Sequence, residues 1–240
     1  MNESKGKLHP VTQITNDMVR IFTDMGFSVA MGPEMETEWN NFDALNVPGD
    51  HPARDMQDTF WIKTDGKHVT DEVGRSLRPV MRTHTSPVQI RYMQEFINSG
   101  KSLETDTIAI IAPGKVFRNE ATDATHESQF HQIEGLVVGK NITMGDLKGT
   151  LLEFFKRFIG PDAEIRLRPS FFPFVEPGLE VDVKVGDKFI EMLGAGLVHP
   201  NVLENAGIDS TQYSGFAFGM GIDRLVILKT RIPDVRYLYQ

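Results

Sequence analysis

The chain has 240 residues, of which 40% are hydrophobic and 24% charged, a balance that excludes disordered and fibrous classes of protein. Lysine and arginine total 25 against 33 aspartate and glutamate residues, so the formal net charge of −8 argues against a domain that binds nucleic acid by electrostatics alone. There is no cysteine, no secretory signal and no apolar run near the roughly 20 residues of a membrane span, so disulfides and membrane insertion are excluded and a cytoplasmic location is expected.

The first part of the chain is predicted to contain one amphipathic helix and two short strands. Residues 1–8 resemble a linker. A helix is expected to begin at His9-Pro10 and to end at Gly26, because apolar residues recur three and four positions apart. Strands are expected over 27–31 and 59–63, and the polar, glycine-containing stretch that follows the second strand is expected to form a loop or a hairpin tip.

Capping residues indicate two further helices in the middle of the chain. Ser86 is the predicted N-cap of a helix over 88–98, with Pro87 in its first turn. Thr143 and Asp146 match a capping box that opens a helix running to about residue 158. Apolar and β-branched runs predict three strands, over 107–112, 115–119 and 129–138.

Strict alternation predicts an antiparallel hairpin in the last third of the chain. Apolar and charged side chains alternate from Leu179 to Val185, Gly186 can turn the chain, and residues 189–193 return as the partner strand. A last strand is expected over 214–218, leading into a helix over 222–229.

The order of these elements predicts the fold class. Several strands follow one another through hairpins, and helices are only occasional, which is typical of an α+β fold with an antiparallel β-sheet flanked by helices. No shift in composition marks a domain boundary, so residues 9–240 are expected to form a single domain after the linker.

Four groups of residues offer chemistry, and the first extends from His84 to Gln89. His84, Ser86 and Gln89 place an imidazole, a hydroxyl and an amide at a strand-to-helix junction. The alternative interpretation is structural, with Ser86 as an ordinary N-cap and His84 as a hydrogen-bonded loop residue.

The second group pairs an arginine-bearing strand with an acidic one. On a strand, Arg118 and Glu120 share one face, as do Gln132 and Glu134 on the strand that contains Phe130. Two antiparallel strands would bring an arginine, two carboxylates and an amide onto one surface, which is costly in a buried site unless a ligand pairs them. The alternative is a polar sheet face exposed to solvent.

The third and fourth groups lie at residues 168–177 and 215–224. The third combines phenylalanines with prolines and Glu176, which indicates either core filling or a rigid loop that lines a pocket. The fourth is a glycine-rich strand that runs into a helix. Its small residues let a ligand lie against the backbone, and Arg224 near the first helical turn can meet a phosphate. The spacing fits neither a dinucleotide fingerprint nor a Walker loop.

The second and fourth groups together resemble the second and third signature motifs of class II aminoacyl-tRNA synthetases. Longer strings narrow the resemblance to the alpha subunit of bacterial phenylalanyl-tRNA synthetases, and it covers the chain from His9 onward. These strings are NFDALN at 41–46, HPARDMQDTF at 51–60, RTHTSPVQ at 82–89, FHQIEG at 130–135, GAG at 194–196 and HPNVL at 199–203.

The resemblance implies the class II synthetase fold and a two-step reaction. Phenylalanine is activated by ATP to phenylalanyl-adenylate and is then transferred to tRNA(Phe), which requires positioning and charge stabilisation but no protein nucleophile. By this resemblance Arg118 is the catalytic residue and binds the α-phosphate and the carboxylate. Phe130 and Arg224 are expected to cover the two faces of the adenine, and Glu120 and His126 to hold the nucleotide.

The resemblance also implies an amino-acid pocket and a magnesium ligand. The polar groups expected to recognise the ammonium and carboxylate of L-phenylalanine are His84, Ser86, Gln89, Gln132 and Glu134. Phe172 and Phe174 would meet the substrate ring edge to face, while Val175 and Ala217 would close the pocket near the para position. Glu176 matches the family's Mg²⁺ ligand at the boundary between alpha and beta subunits, and magnesium is also expected with ATP.

Partners follow from the same resemblance. The family forms α2β2 heterotetramers, and its alpha subunit usually begins with a helical hairpin that contacts tRNA, whereas this sequence begins at the linker. We therefore expect a catalytic core that needs a beta subunit for full tRNA charging. The alternative is a synthetase-like binding module or a fragment that is inactive without its beta subunit. The presence of Arg118, Glu120, Phe130 and Arg224 favours the enzyme.

Overall fold

The computed structural model describes residues 6–56, 58–64, 69–119, 127–230, 232 and 235–239. The helices are α1 (Pro10–Asp24), α2 (Glu38–Asn41), α3 (Ser86–Asn98), α4 (Met144–Phe158), α5 (Pro200–Asn205) and α6 (Ile222–Thr230), with 3-10 turns at Asp43–Leu45, Pro52–Arg54 and Val235–Leu238. The strands are β1 (Ser28–Val29), β2 (Met35–Thr37), β3 (Pro79–Met81), β4 (Ile108–Phe117), β5 (Gln129–Gly139), β6 (Ile165–Phe172), β7 (Val175–Val185), β8 (Lys188–Val198) and β9 (Ser214–Gly221).

A seven-stranded sheet forms the centre of the fold. Its strand order is β1-β4-β5-β9-β8-β7-β6, and every neighbouring pair is antiparallel except β1 with β4. Strands β2 and β3 form a separate antiparallel pair. The predicted α+β fold with an antiparallel sheet and flanking helices is therefore confirmed.

One face of the sheet is packed against α1, α4 and α6. The apolar side chains of these helices and of β5, β7, β8 and β9 form one continuous core. Phe22 of α1 lies at its centre, stacked on Phe154 at 4.5 Å and on Phe218 at 5.3 Å between ring centroids. Because these rings are fully or almost fully buried, the helices hold the sheet from behind and leave its other face available.

The opposite face is covered at one end only. A second apolar cluster joins α3 and α5 to the first half of β4 and to Leu136 and Val138 of β5. Along β5 this cover ends at Leu136, and the next residues that point the same way are Glu134 and Gln132, which are polar. The sheet therefore changes from an apolar core to a polar, accessible surface within a few residues of β5.

Most predicted elements are confirmed with small changes of length. Helix α1 has its predicted apolar face buried and ends at Asp24, with Met25 as its C-cap and Gly26 following at a φ of 93°. The capping box of Thr143 and Asp146 opens α4, and Gly186, at φ 60°, turns the chain between β7 and β8. The helices predicted over 88–98 and 222–229 are present as α3 and α6.

Several strand predictions are wrong in detail. The strand expected over 27–31 is reduced to the two residues of β1, and the one expected over 59–63 is a single bridge between Trp61 and Val80. Residues 168–177 were interpreted either as core filling or as a rigid loop, and the loop is confined to Pro173 and Phe174, because β6 and β7 run through the rest of the stretch. The pair β2 and β3 and the helices α2 and α5 had no counterpart in the prediction.

Strand β4 is continuous where two strands were predicted, although it contains Pro113. Ile111 O accepts a bond from Ala30 N, and Phe117 N donates to Arg82 O. The backbone N–H and C=O groups of the odd-numbered residues of β4 therefore point away from β5. Since β1 ends its pairing at Ile111, the ring nitrogen of Pro113 faces an edge that needs no donor. Proline therefore interrupts no bond of the ladder.

Within the described part of the chain, no helix is long and apolar enough to cross a membrane. The division into a linker over 1–8 and one domain over 9–240 stays a prediction.

Candidate active site

A cavity of about 620 Å³ lies over β5, β9, β8 and β7, next to the segment that precedes α3. Eleven predicted site residues line it: His84, Ser86, Gln89, Arg118, Gln132, Glu134, Phe172, Phe174, Val175, Ala217 and Arg224. Phe130 and Glu176 are not among the lining residues, and Glu120 and His126 lie outside the described part of the chain. The fold thus brings together groups that are up to 140 residues apart in sequence.

Two rows of directly opposed residues run across four strands beneath the cavity; the first row lines it, and the second reaches it only at Ala217. The first row is Glu134, Gly219, Gly194 and Glu180, and the second is Leu136, Ala217, Gly196 and Gly178. A Cβ atom at Gly194 would lie 3.0 Å from Phe172 Cζ, which is tighter than ordinary contact. The small residues therefore keep the backbone of β8 and β9 accessible and leave room for the Phe172 ring.

Glu134 is the centre of the polar wall. Its carboxylate is buried and accepts hydrogen bonds from Thr85 N at 3.0 Å, from Gln89 Nε2 at 3.1 Å and from Ser86 Oγ. Burial raises the pKa of Glu134, while the bonds from Ser86 and Thr85 and the charge of Arg118 oppose that rise. The carboxylate thus fixes the first turn of α3 against β5.

The prediction that Ser86 caps α3 is wrong. Thr85 occupies the N-cap position and makes no side-chain cap bond, and the Ser86 hydroxyl is directed at Glu134 instead. The buried carboxylate competes for the hydroxyl more strongly than the helix end does, because a charged acceptor forms the stronger bond. The alternative interpretation of Ser86 as an ordinary cap is therefore excluded.

His84 presents a buried polar atom without a hydrogen-bond partner among the described residues. Its Nδ1 is inaccessible to solvent, and the same is true of Gln132 Oε1. Burial lowers the pKa of His84 to about 3, with a further lowering by the charge of Arg118, so the imidazole is neutral near pH 7. Buried polar groups are normally paired, and both of these residues line the cavity, so this part of its wall has unused hydrogen-bonding capacity.

Arg118 lies one residue beyond the end of β4. Its Nε donates to Thr83 O at 3.3 Å, and its guanidinium lies 5.0 Å from the centroid of the Phe130 ring. The strand predicted over 115–119 ends at Phe117, so Arg118 lies just outside it, although Arg118 N still donates to Ser128 O at 2.9 Å. The shared face of Gln132 and Glu134 on β5 is confirmed. Arg118 is thus held at the end of the sheet by a backbone carbonyl and an aromatic ring.

Arg224 is exposed at the start of α6 and lines the cavity. The neighbouring Asp223 is buried and accepts bonds from His131 N on β5 and from Tyr239 Oη. Tyr239 also meets His131 Nδ1 at 3.0 Å, with the two rings parallel. This contact fixes the first turn of α6 relative to the strand that carries Phe130 and Gln132.

Phe172 and Phe174 form an aromatic wall at the other end of the cavity. Their rings stack with centroids 5.9 Å apart, and Phe174 lies 6.3 Å from the His84 ring. The turn between them is held by Asn46 Nδ2, which donates to Pro173 O at 2.8 Å. Val175 follows as a buried residue at the start of β7, so the wall is anchored at both ends.

The carboxylate of Glu176 is 74% exposed and lies 3.4 Å from His199 Nε2. Among the described residues, no group of three or more histidine and acidic side chains could hold a metal ion. Mg²⁺ requires about six oxygen ligands, and one exposed carboxylate beside a histidine does not make such a set by itself. The described residues therefore do not fit a closed magnesium site, and the role of Glu176 stays a prediction.

Several residues of the cavity were not predicted as site residues. Thr83, Glu180 and Glu191 line it, and Asn41 supports it from behind. Asn41 and Thr83 belong to the strings NFDALN and RTHTSPVQ that carried the resemblance. Their position in those strings was the available signal, but nothing in residue type or spacing indicated that they contact each other.

Comparison with known proteins gives a consistent result. The family model described as "tRNA synthetases class II core domain (F)" matches residues 1–240. Proteins named "Phenylalanine--tRNA ligase alpha subunit" from Dehalococcoides mccartyi and Anoxybacillus flavithermus are each 50% identical over 98% of this chain and 67% of their own length. The protein of that name from Geobacillus kaustophilus is 50% identical over 99% of this chain and 67% of its length. The chain thus spans about two thirds of these relatives.

Proposed function

The chain belongs to the class II tRNA synthetase core family, and from this premise we propose that it is the catalytic part of a phenylalanine–tRNA ligase alpha subunit. It activates L-phenylalanine with ATP and transfers the phenylalanyl group to tRNA(Phe). The observation that carries the proposal is the cavity itself, whose lining joins the polar residues His84 and Gln132 to an aromatic wall and an arginine. An amphipathic aromatic amino acid matches both halves of this surface.

The amino-acid end combines an aromatic wall with neutral and acidic polar groups. Phe172 and Phe174 offer ring surfaces to the substrate ring, an arrangement worth about 0.5–1.5 kcal/mol beyond burial. Neutral His84 and the amide of Gln132 offer hydrogen bonds to the ammonium and carboxylate, and the Glu134 carboxyl holds Ser86 and Gln89 in place around them. Val175 and Ala217 limit the space beyond the ring.

We expect the nucleotide to bind near Arg118, Phe130 and Arg224. The substrate carboxylate attacks the α-phosphorus of ATP, an oxygen–phosphorus bond forms, and the bond to the leaving pyrophosphate breaks. Negative charge grows on the phosphate oxygens, and the planar guanidinium of Arg118 can contact the α-phosphate and the carboxylate at once. Arg224 is exposed at the N-terminal end of α6 and lines the cavity, which supports a proposed contact with the adenine and the outer phosphates. No protein nucleophile is required.

ATP use follows from the family, and we propose that the nucleotide is bound as its magnesium complex. Magnesium then arrives with the substrate phosphates, consistent with its preference for phosphate oxygens and water over complete protein cages. Glu120 and His126 remain proposed nucleotide ligands, and Glu176 a proposed magnesium ligand that would share its ion with groups from another subunit.

We further propose that the chain works with a beta subunit in an α2β2 assembly in the cytoplasm. Two features support a partner. The net charge of −8 offers little electrostatic attraction for tRNA. The apolar side chains of Val29 in the edge strand β1, of Met31 just after it and of Met35 in β2 are exposed, Met31 to 75%. Exposed apolar side chains near one another are typical of interaction surfaces.

A synthetase-like binding module without catalysis is the alternative function. Phenylalanine-dependent exchange of labelled pyrophosphate into ATP distinguishes the two, because it reports adenylate formation without tRNA. We expect exchange from the chain mixed with its beta subunit. Binding of phenylalanine and ATP with no exchange would favour the module instead.

A further inference from the structure

Asn41, the last residue of α2, is completely buried and does not line the cavity. Its side chain nevertheless makes a two-point contact with a cavity residue. Asn41 Oδ1 accepts a hydrogen bond from Thr83 N at 3.2 Å, and Asn41 Nδ2 donates to Thr83 Oγ1 at 3.1 Å. One amide group therefore fixes both the backbone and the side chain of Thr83.

Thr83 needs this support because it lies outside regular structure. It is placed between the end of β3 at Met81 and the start of α3 at Ser86, where its N–H has neither a helix nor a sheet partner. A buried backbone N–H must find an acceptor, and the Asn41 amide provides it. The orientation of the Thr83 peptide thus depends on a side chain from another element.

The other side of Thr83 faces the proposed chemistry. Its carbonyl oxygen accepts the bond from Arg118 Nε at 3.3 Å. The next residue is His84, and a hydrogen bond with the Asn41 backbone raises the pKa of that histidine against the larger effect of burial. Asn41 is therefore linked to Arg118 through one intervening residue, Thr83, and its backbone is hydrogen-bonded to His84. It does not line the cavity and so cannot touch a substrate there.

We propose that Asn41 is a positioning residue for adenylate formation, which acts through Thr83 to orient the guanidinium of Arg118. This inference rests on the proposed function of Arg118. Its physical basis is that preorganised charge stabilises a transition state only at the correct place, and a shift near 1 Å can cost about 10²-fold in rate. Loss of the Asn41 amide would release the Thr83 carbonyl and with it one fixed contact of Arg118.

The test compares Asn41→Ala with Asn40→Ala. Asn40 is the matched control, since it is the adjacent asparagine, is also buried, and bonds to Glu36 rather than to Thr83. In pyrophosphate exchange by the complex with the beta subunit, Asn41→Ala should lower kcat about 10-fold or more, while the KM for ATP changes less than about threefold. Asn40→Ala should leave kcat within about twofold.

A double-mutant cycle separates positioning from general destabilisation. If Asn41 acts through Arg118, the variant with both Asn41→Ala and Arg118→Ala should be no slower than Arg118→Ala alone. Multiplied losses, or equal kcat losses in Asn41→Ala and Asn40→Ala, would overturn the inference. Should Asn41→Ala fail to fold, Thr83→Val removes only the hydroxyl contact and should lower kcat, with Thr83→Ser restoring it. Equal rates for Val and Ser would also count against the role.

One readout is independent of activity. The Nε–H resonance of Arg118 in the ¹⁵N-labelled chain, identified by its absence in Arg118→Lys, should shift or exchange faster with solvent in Asn41→Ala and stay unchanged in Asn40→Ala. An unchanged resonance in both would overturn the inference. If the parent complex shows no exchange of pyrophosphate, the proposed function fails, and the resonance still decides whether Asn41 positions Arg118.

Discussion

Glu134 on β5 lies directly opposite Gly219 on β9, and a Cβ atom at position 219 would stand 3.1 Å from Glu134 Cγ. The glycine therefore gives the buried carboxylate the room it needs to turn towards Ser86 and Gln89. The hydrogen bonds of Glu134 on β5 therefore depend on the absence of a side chain at Gly219 on β9. A larger residue at position 219 should be tolerated only together with a smaller one at position 134.

Arg118→Ala should reduce phenylalanine-dependent pyrophosphate exchange by about 10²-fold or more, because it removes a preorganised stabiliser of charge on the α-phosphate. Arg118→Lys should recover little of the loss, since an ammonium cannot contact two oxygens in one plane. Arg157→Ala is the control, as Arg157 lies exposed on α4 and pairs only with Glu153 among the contacts of the described chain. Equal exchange rates for parent and Arg118→Ala would remove Arg118 from the mechanism.

Ala217→Gly should admit para-halogenated phenylalanines. Ala217 contributes a methyl group to the cavity lining, and removing it opens space for a small para substituent. A difference of one small group changes the discrimination between two substrates in such a pocket by roughly 1–3 kcal/mol. Exchange rates with phenylalanine and para-chlorophenylalanine give the preference ratio of each variant. Ala109→Gly on β4, away from the cavity, is the control, and a ratio that shifts equally in both variants would place Ala217 outside the specificity pocket.

His84→Asn should make the stability of the chain less sensitive to acid. In the folded protein the pKa of His84 falls from its ordinary value of 6.5 to about 3 through burial. A lowered folded-state pKa contributes stability above pH 6.5, and this contribution is lost as the pH falls towards 3. The drop in Tm between pH 7 and pH 4 should therefore be smaller in His84→Asn than in the parent. The exposed His9 gives the control His9→Asn, and a parent-like drop in His84→Asn would show that His84 does not titrate as inferred.

Gly135→Ala should destabilise the fold by about 1–3 kcal/mol or more, the usual cost of overpacking. A Cβ atom at position 135 would come within 2.1 Å of Phe218 Cζ, and Phe218 is itself stacked on Phe22 in the core. Gly149→Ala on α4 is the matched control, because nothing lies within 4 Å of its added methyl group. Urea unfolding gives both values, and an unchanged Gly135→Ala would contradict the packing described here.

Charging of tRNA(Phe) should require the beta subunit. The chain is acidic, and tRNA binding rests largely on cationic side chains that release counterions. The pocket also rejects tyrosine by only about 10²-fold if its wall is hydrophobic, so proofreading must come from elsewhere. Charging assays at matched concentrations, with and without beta subunit, measure the dependence. Full charging by a monomeric chain alone would show that no partner is needed.

The sequence predicted the strands and helices that have a regular pattern. The alternation from Leu179 to Val185 and the capping box at Thr143 each specify an element locally, and both are confirmed. The helix start at Ser86 was misplaced because a hydroxyl near a helix end has two acceptors to choose from. Only the three-dimensional position of Glu134, 48 residues away, decides between them.

The motifs predicted which residues belong to the candidate site, but they did not predict which of these residues contact each other. The resemblance named eleven of the lining residues, whereas Asn41 and Thr83 were passed over because their contact joins positions 42 residues apart. Pro113 illustrates the same limit for the fold. A proline suggests a break in a strand, and only the strand order shows that it faces an unpaired edge.

The small residues beneath the cavity also determine whether substitutions can widen the range of substrates. Of the four residues in the row Leu136, Ala217, Gly196 and Gly178, two already lack a side chain, and Leu136 belongs to the apolar cluster beneath α3. Ala217 is therefore the one member of that row from which volume can be taken without opening the core. A Cβ atom at Gly196 would lie 2.5 Å from Pro177 O, and one at Gly178 would lie 2.8 Å from Ser170 O, so side chains added there would strain the sheet instead of reshaping the pocket. Variants that accept much bulkier amino acids must therefore be sought in the aromatic wall.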